Sequence, residues 1–235
     1  MSFRACPGSL TFTQPHPEIV ACPGCETEVE IWSDEATGEC ANCGRVVIRT
    51  ESQSCVDWCR FAKVCLGEEK FQQYGEMKAA LRKAALLQCA GEKLGADSPA
   101  LAASRQALRY AEAICAEETA SDPNLVIAAV VMMALTAPSG HPMATDTDWR
   151  ETVGAALREL GYDDTFSGDA CAILNALTMP QPPDDDRMEF RIAHDAVMLA
   201  GHEDRIGTDQ ATPAIALASK CMTACGRTIA VEMRR

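Results

Sequence analysis

Glu28-Val29-Glu30-Ile31-Trp32 alternates polar and apolar side chains, and Arg45-Val46-Val47-Ile48-Arg49 is a short apolar run between two charges. Both are patterns of short β-strands. Up to about residue 66 the chain mixes such runs with Cys, Pro and Gly, and beyond Gly67 it turns to Ala- and Leu-rich stretches of helical period. Helices are expected over Lys78–Cys89, over Leu101–Glu118 behind the Asp97-Ser98-Pro99 cap, and over Leu125–Ala137 behind Asp122-Pro123. Asp148 and Glu151 form a capping box for a helix closed by Gly161, and Ser167 is expected to cap the next, which runs to Leu177 and ends at Met179-Pro180. Two more helical runs, Arg187–Ala200 and Pro213–Glu232, flank a polar loop over His202–Gln210. The expected fold is mainly α, with a small β module in front of an all-α body.

The β-prone part also carries Cys22-x2-Cys25 and Cys40-x2-Cys43, separated by fourteen residues. Thiolates two positions apart reach one ion from a tight turn, and two such turns complete a tetrahedral shell, so the spacing is that of a zinc ribbon. Four cysteines close the shell and leave no open position for a substrate, so the expected zinc is structural. The one irregularity is Glu26, standing where a glycine is expected after the first pair.

A second group follows. Cys55 and Cys59 are spaced to share a helical face, Cys65 lies a turn further on, and Cys6 stands near the start. These four are a candidate second tetrathiolate site, for zinc or an iron–sulfur cluster; the alternative is packing residues or free thiols in a linker helix. Cys89, Cys115 and Cys171, set among Ala and Leu, read as buried small hydrophobes, and Cys221 with Cys225 as a pair in the core. The organisation expected is a ribbon over 1–53, a cysteine-containing linker helix over 54–75 and a helical body over 76–235.

Composition narrows the function. The chain has 235 residues with 21 basic against 34 acidic side chains, a net charge of −13, and 5% aromatics. That balance opposes binding to nucleic acid or anionic lipid and leaves few stacking platforms. MSFRACPGSL lacks the apolar segment of a secretion signal and no run is long enough to span a bilayer, so the expectation is a cytoplasmic protein with reduced thiols. The sequence has no Gly-x-Ser-x-Gly elbow, no phosphate-binding Gly-x4-Gly-Lys-Ser/Thr loop and no Gly-x-Gly-x-x-Gly.

Over nearly its whole length the chain resembles bacterial proteins that join an N-terminal zinc ribbon and a cysteine-rich linker to an HD-domain, phosphohydrolase-like body. The resemblance is carried by FTQPHPEIVACPGCETEVEIW (Phe12–Trp32) and SCVDWCRFAKVCLGEE (Ser54–Glu69), and in the body by ALRYAEAI (Ala107–Ile114), DPNLVIAA (Asp122–Ala129) and FRIAHDA (Phe190–Ala196). It implies a helical HD-like fold with metal ligands on successive helices: a first histidine, a His-Asp pair, further histidines and a late aspartate. Here the first histidine position is Ala103, the pair is Met133-Ala134, and ILNALTM (Ile173–Met179) has no histidine. Asp195 alone matches, and one carboxylate does not hold a divalent ion. The resemblance thus implies a degenerate domain that binds a protein partner or a phosphorylated ligand. The competing reading is a phosphohydrolase using a rearranged site at His194 and Asp195, with His141 or His202; a third is iron–sulfur redox chemistry on the second cysteine group.

Overall fold

The computed structural model describes residues 14–22, 25–35, 37–48, 56, 59–136, 148–179, 186–206 and 213–233. The chain divides into two compact units, Met1–Ala85 and Leu86–Arg235. It is mainly α, with a small antiparallel β module at the N-terminal side.

In the first unit, β1 (Pro17–Ala21) pairs antiparallel with β2 (Glu28–Trp32), Pro17 opposite Trp32, and β3 (Thr37–Glu39) pairs with β4 (Val46–Ile48). The alternation in β2 is realised: Val29 and Ile31 are buried while Glu28, Glu30 and Trp32 face outward. With Cys22, Cys40 and Val47 they form a miniature core. Gly38 in β3 closes it, since a Cβ there would stand 2.9 Å from Ile31 Cγ1 and 3.2 Å from Val29 Cγ1. Helix α1 (Ala62–Leu66) ends at Gly67, whose φ of 82° stops it. Helix α2 then runs from Glu68 to Leu94, well beyond the Lys78–Cys89 expected. The turns added at its start bring Tyr74 and Met77, at helical spacing with Leu81 of the expected span, into a small cluster with Val56 and Ala62.

In the second unit, α3 (Pro99–Glu117), α4 (Pro123–Met132) with a 3-10 turn over Met133–Leu135, α5 (Asp148–Glu159), α6 (Asp164–Thr178), α7 (Met188–Glu203), α8 (Ala214–Ala218) and α9 (Ala224–Glu232) share one core. Helix α4 is buried continuously from Val126 to Met132, as an all-apolar helix must be, and it packs against α3, α6 and α7. Asp122 caps it by accepting the Asn124 N–H at 2.9 Å, and Glu189 Oε1 accepts the Asp122 N–H at 2.8 Å, joining the starts of α4 and α7.

Three expectations change. Asp163, not Ser167, caps α6, accepting the Phe166 N–H at 2.8 Å, while Ser167 lies buried within the helix. His202 belongs to α7 and is buried rather than placed in a loop. The single run expected over Pro213–Glu232 is two helices, interrupted before Thr223, which caps α9 through the Gly226 N–H at 2.9 Å.

Candidate metal centre

The two Cys-x-x-Cys turns repeat each other bond for bond. Cys22 N–H donates to Thr27 O at 2.9 Å and Glu26 N–H to Cys22 O at 2.8 Å; Cys40 N–H donates to Arg45 O at 2.9 Å and Gly44 N–H to Cys40 O at 2.8 Å. Each turn needs a left-handed residue after its second cysteine. Gly44 supplies φ +68° at no steric cost, while Glu26 is forced to φ +58°. The missing glycine of the first pair is therefore a substitution within an unchanged turn.

The turns bring four sulfurs together. Cys22 Sγ lies 3.6 Å from Cys43 Sγ and Cys25 Sγ 3.5 Å from Cys40 Sγ, and all four lie within 4.8 Å of one another. A tetrahedral ion with metal–sulfur bonds of about 2.3 Å separates its sulfurs by about 3.8 Å, and a disulfide by about 2 Å. The cluster has the dimensions of the first and not the second. Cys22 and Cys40 are buried, Cys25 is half-buried and Cys43 is exposed. Hydrogen bonding with the Thr27 and Asn42 side chains holds the Cys25 thiol down to about 5. The Arg45 N–H acts to lower the Cys43 thiol, but shared hydrogen bonding with the Cys25 and Cys22 sulfurs pushes it up to about 12. A cation bound among the four sulfurs would favour their deprotonated form.

Of the second cysteine group, Cys59 packs beside the Val56–Tyr74–Met77 cluster and Cys65 is exposed on α1; Cys6 and Cys55 lie outside the described residues. In the body, burial pushes the thiols up, Cys115 to about 11 and Cys221 to about 12, which suits packing rather than ligation.

Asp195 lies on α7 and is fully buried. Its Oδ1 accepts the Met222 N–H at 2.8 Å, and its Oδ2 accepts both the Thr223 N–H and the Thr223 hydroxyl at 2.8 Å. His194 Nδ1 stands 3.1 Å from Oδ1. The carboxylate thus organises the turn before α9, a use that composition and spacing did not suggest. Ala103 is exposed on α3, Ala134 is buried in the 3-10 turn, and His141 lies outside the described residues. His202 Nδ1 is buried with no hydrogen-bond partner among the described residues.

Nothing in the composition or spacing around Glu203 marks it, yet it ties α7 to α3. Its Oε2 accepts the Tyr110 hydroxyl at 2.8 Å, Gln106 Nε2 at 3.0 Å and Arg109 Nη2 at 3.3 Å. Gln106, Arg109 and Tyr110 share a helical face by their spacing, the one signal that was available.

Among the described residues no helix is long and apolar enough to cross a membrane. No protein-family model, curated protein or solved structure matches the chain. What stands is a small N-terminal sheet carrying a four-cysteine cluster, followed by a helical body.

Proposed function

We propose that the protein is a zinc-stapled, non-catalytic binding module: a ribbon held by structural zinc on Cys22, Cys25, Cys40 and Cys43, joined to a degenerate HD-like body that binds a protein partner or a phosphorylated ligand. The sulfur-only donor set, four sulfurs within 4.8 Å of one another, supports zinc, which takes four thiolates without a geometric preference of its own. Such an ion would fix the two turns and supply folding free energy to a module whose own core is only a handful of residues. No substrate reaches an ion already holding four sulfurs.

The observation that carries the non-catalytic reading is the placement of Asp195. The one side chain that matches the ligand pattern of HD domains accepts two backbone amides and a hydroxyl instead. A carboxylate so engaged, at full burial, is a structural anchor.

The test is phosphate release from a panel of nucleotides and phosphomonoesters, with magnesium, manganese or iron(II) added to the purified chain. The expected result is release no faster than the blank. Release that disappears in His194→Ala, with the fold retained, would overturn the reading in favour of hydrolysis at a rearranged site. A visible spectrum on the same protein is expected to be featureless; a broad brown absorption would place an iron–sulfur cluster on the chain.

A further inference from the structure

Antiparallel pairing puts Pro17, Ile19 and Ala21 of β1 on the same outward face as Trp32, Glu30 and Glu28 of β2, residue opposite residue. The other face buries Val29 and Ile31, so this face has no role in the ribbon's own core. All six of its residues are exposed, Ile19 at 60% and Trp32 at 43%. An exposed β-branched residue and an exposed tryptophan, diagonal to each other across one strand pair, form a continuous apolar end. The other end is acidic, formed by Glu28 and Glu30. Solvation alone does not call for a tryptophan there, whereas aromatic anchors are the residues enriched at binding sites.

Charge selects among occupants. Between residues 14 and 48 the sequence has seven acidic side chains and one arginine, in a chain of net charge −13. Nucleic acid, an anionic lipid surface and a second copy of this acidic ribbon would all meet like charge. A cationic polypeptide would not.

We propose that the outward β1–β2 face docks a basic protein segment in extended form, its apolar anchor against Ile19 and Trp32 and its lysines or arginines against Glu28 and Glu30. This rests on the reading of the protein as a zinc-stapled binding module and specifies its partner. The face is small, so the interaction is of the weak, reversible class and depends on salt.

The experiment is an NMR titration of the full chain, labelled with nitrogen-15, using a blocked peptide of sequence VSVSKSK, whose valines and lysines share one face when extended, and a companion with glutamate in place of lysine. The lysine peptide is expected to shift the Ile19 and Glu30 amides and the Trp32 indole saturably, while the glutamate peptide does not. Affinity is expected to fall at least about tenfold in Glu28→Lys/Glu30→Lys and in Ile19→Ser. Should Ile19→Ser unfold the ribbon, the charge-reversed variant alone decides, since its two sites are already solvent-facing. No shift, equal shifts with both peptides, or unchanged affinity in the folded charge-reversed variant would overturn the proposal. Zinc content on the same sample separates the two failures: one zinc without peptide binding removes the docking face and leaves the staple, whereas no zinc removes the staple and the docking face with it.

Discussion

Asp195 and Thr223 form a two-pronged lock, the Asp195 Oδ2 accepting both the backbone amide and the hydroxyl of Thr223 at 2.8 Å from 28 residues away in sequence. Thr223 in turn caps α9 through the Gly226 N–H. One buried carboxylate thereby sets where the last helix begins. Asp195→Ala leaves several buried donors without an acceptor and is expected to destabilise the body by about 3–5 kcal/mol. Thr223→Ala removes one hydroxyl bond and the cap and is expected to cost about 1–2 kcal/mol. Urea unfolding followed by helical circular dichroism measures both, and an Asp195→Ala midpoint equal to wild type would contradict the lock.

Gly226 gives a prediction of opposite sign to helix propensity. Alanine in place of a helical glycine ordinarily stabilises by about 1 kcal/mol. Here the added methyl would collide with Asp195 Oδ2 and stand 2.7 Å from Thr223 Oγ1. Gly226→Ala is expected to lower the unfolding midpoint, and a raised midpoint would refute the packing around the carboxylate.

The two cysteine turns predict a paired result. Glu26→Gly relieves a left-handed φ of +58° and is expected to stabilise the ribbon by about 1 kcal/mol, while Gly44→Ala, at +68°, is expected to destabilise it by a similar amount. Rates of zinc loss to a competing chelator should order as Glu26→Gly slowest, wild type intermediate and Gly44→Ala fastest. Equal rates in all three would mean that the left-handed residues do not limit the ribbon's stability.

Acid should weaken the α3–α7 junction. The Tyr110 hydroxyl, then Gln106 and the nearby Arg109 guanidinium, hold Glu203 below its ordinary value of 4.5. A carboxylate whose folded value is depressed contributes stability that is present above 4.5 and lost as pH falls through the folded value. Because its side chain is 36% exposed, screening limits this to about 1 kcal/mol or less. Glu203→Gln is expected to be less stable than wild type near neutrality, with the difference shrinking below pH 4.5. A pH-independent difference would contradict the assignment.

What the sequence revealed follows from the range of the forces involved. The cysteine pairs, the β2 alternation and the helix behind Asp122-Pro123 are local or periodic, and the structure reproduces them. Even the irregular Glu26 was visible as an absent glycine. The break before Thr223 was not: no proline or glycine marks it, and an uninterrupted helix is the natural reading of Pro213–Glu232 until Asp195 competes for the Met222 and Thr223 amides. The start of α2 is harder to read, since Glu68–Met77 is largely exposed and its two buried positions, Tyr74 and Met77, stand isolated among polar residues although their spacing to Leu81 is helical. The Asp163 cap lay four residues upstream of Ser167, which looked as suitable until burial placed it inside α6.

One structural zinc on Cys22, Cys25, Cys40 and Cys43 is read by elemental analysis of the protein purified without added metal, beside Cys22→Ser prepared identically. The wild type is expected to carry a ribbon zinc that is lost from Cys22→Ser, with residues 22–48 becoming protease-sensitive in the variant while the helical body keeps its circular dichroism. A wild type without zinc, or a variant that retains all its metal and a protease-resistant ribbon, would contradict the zinc staple.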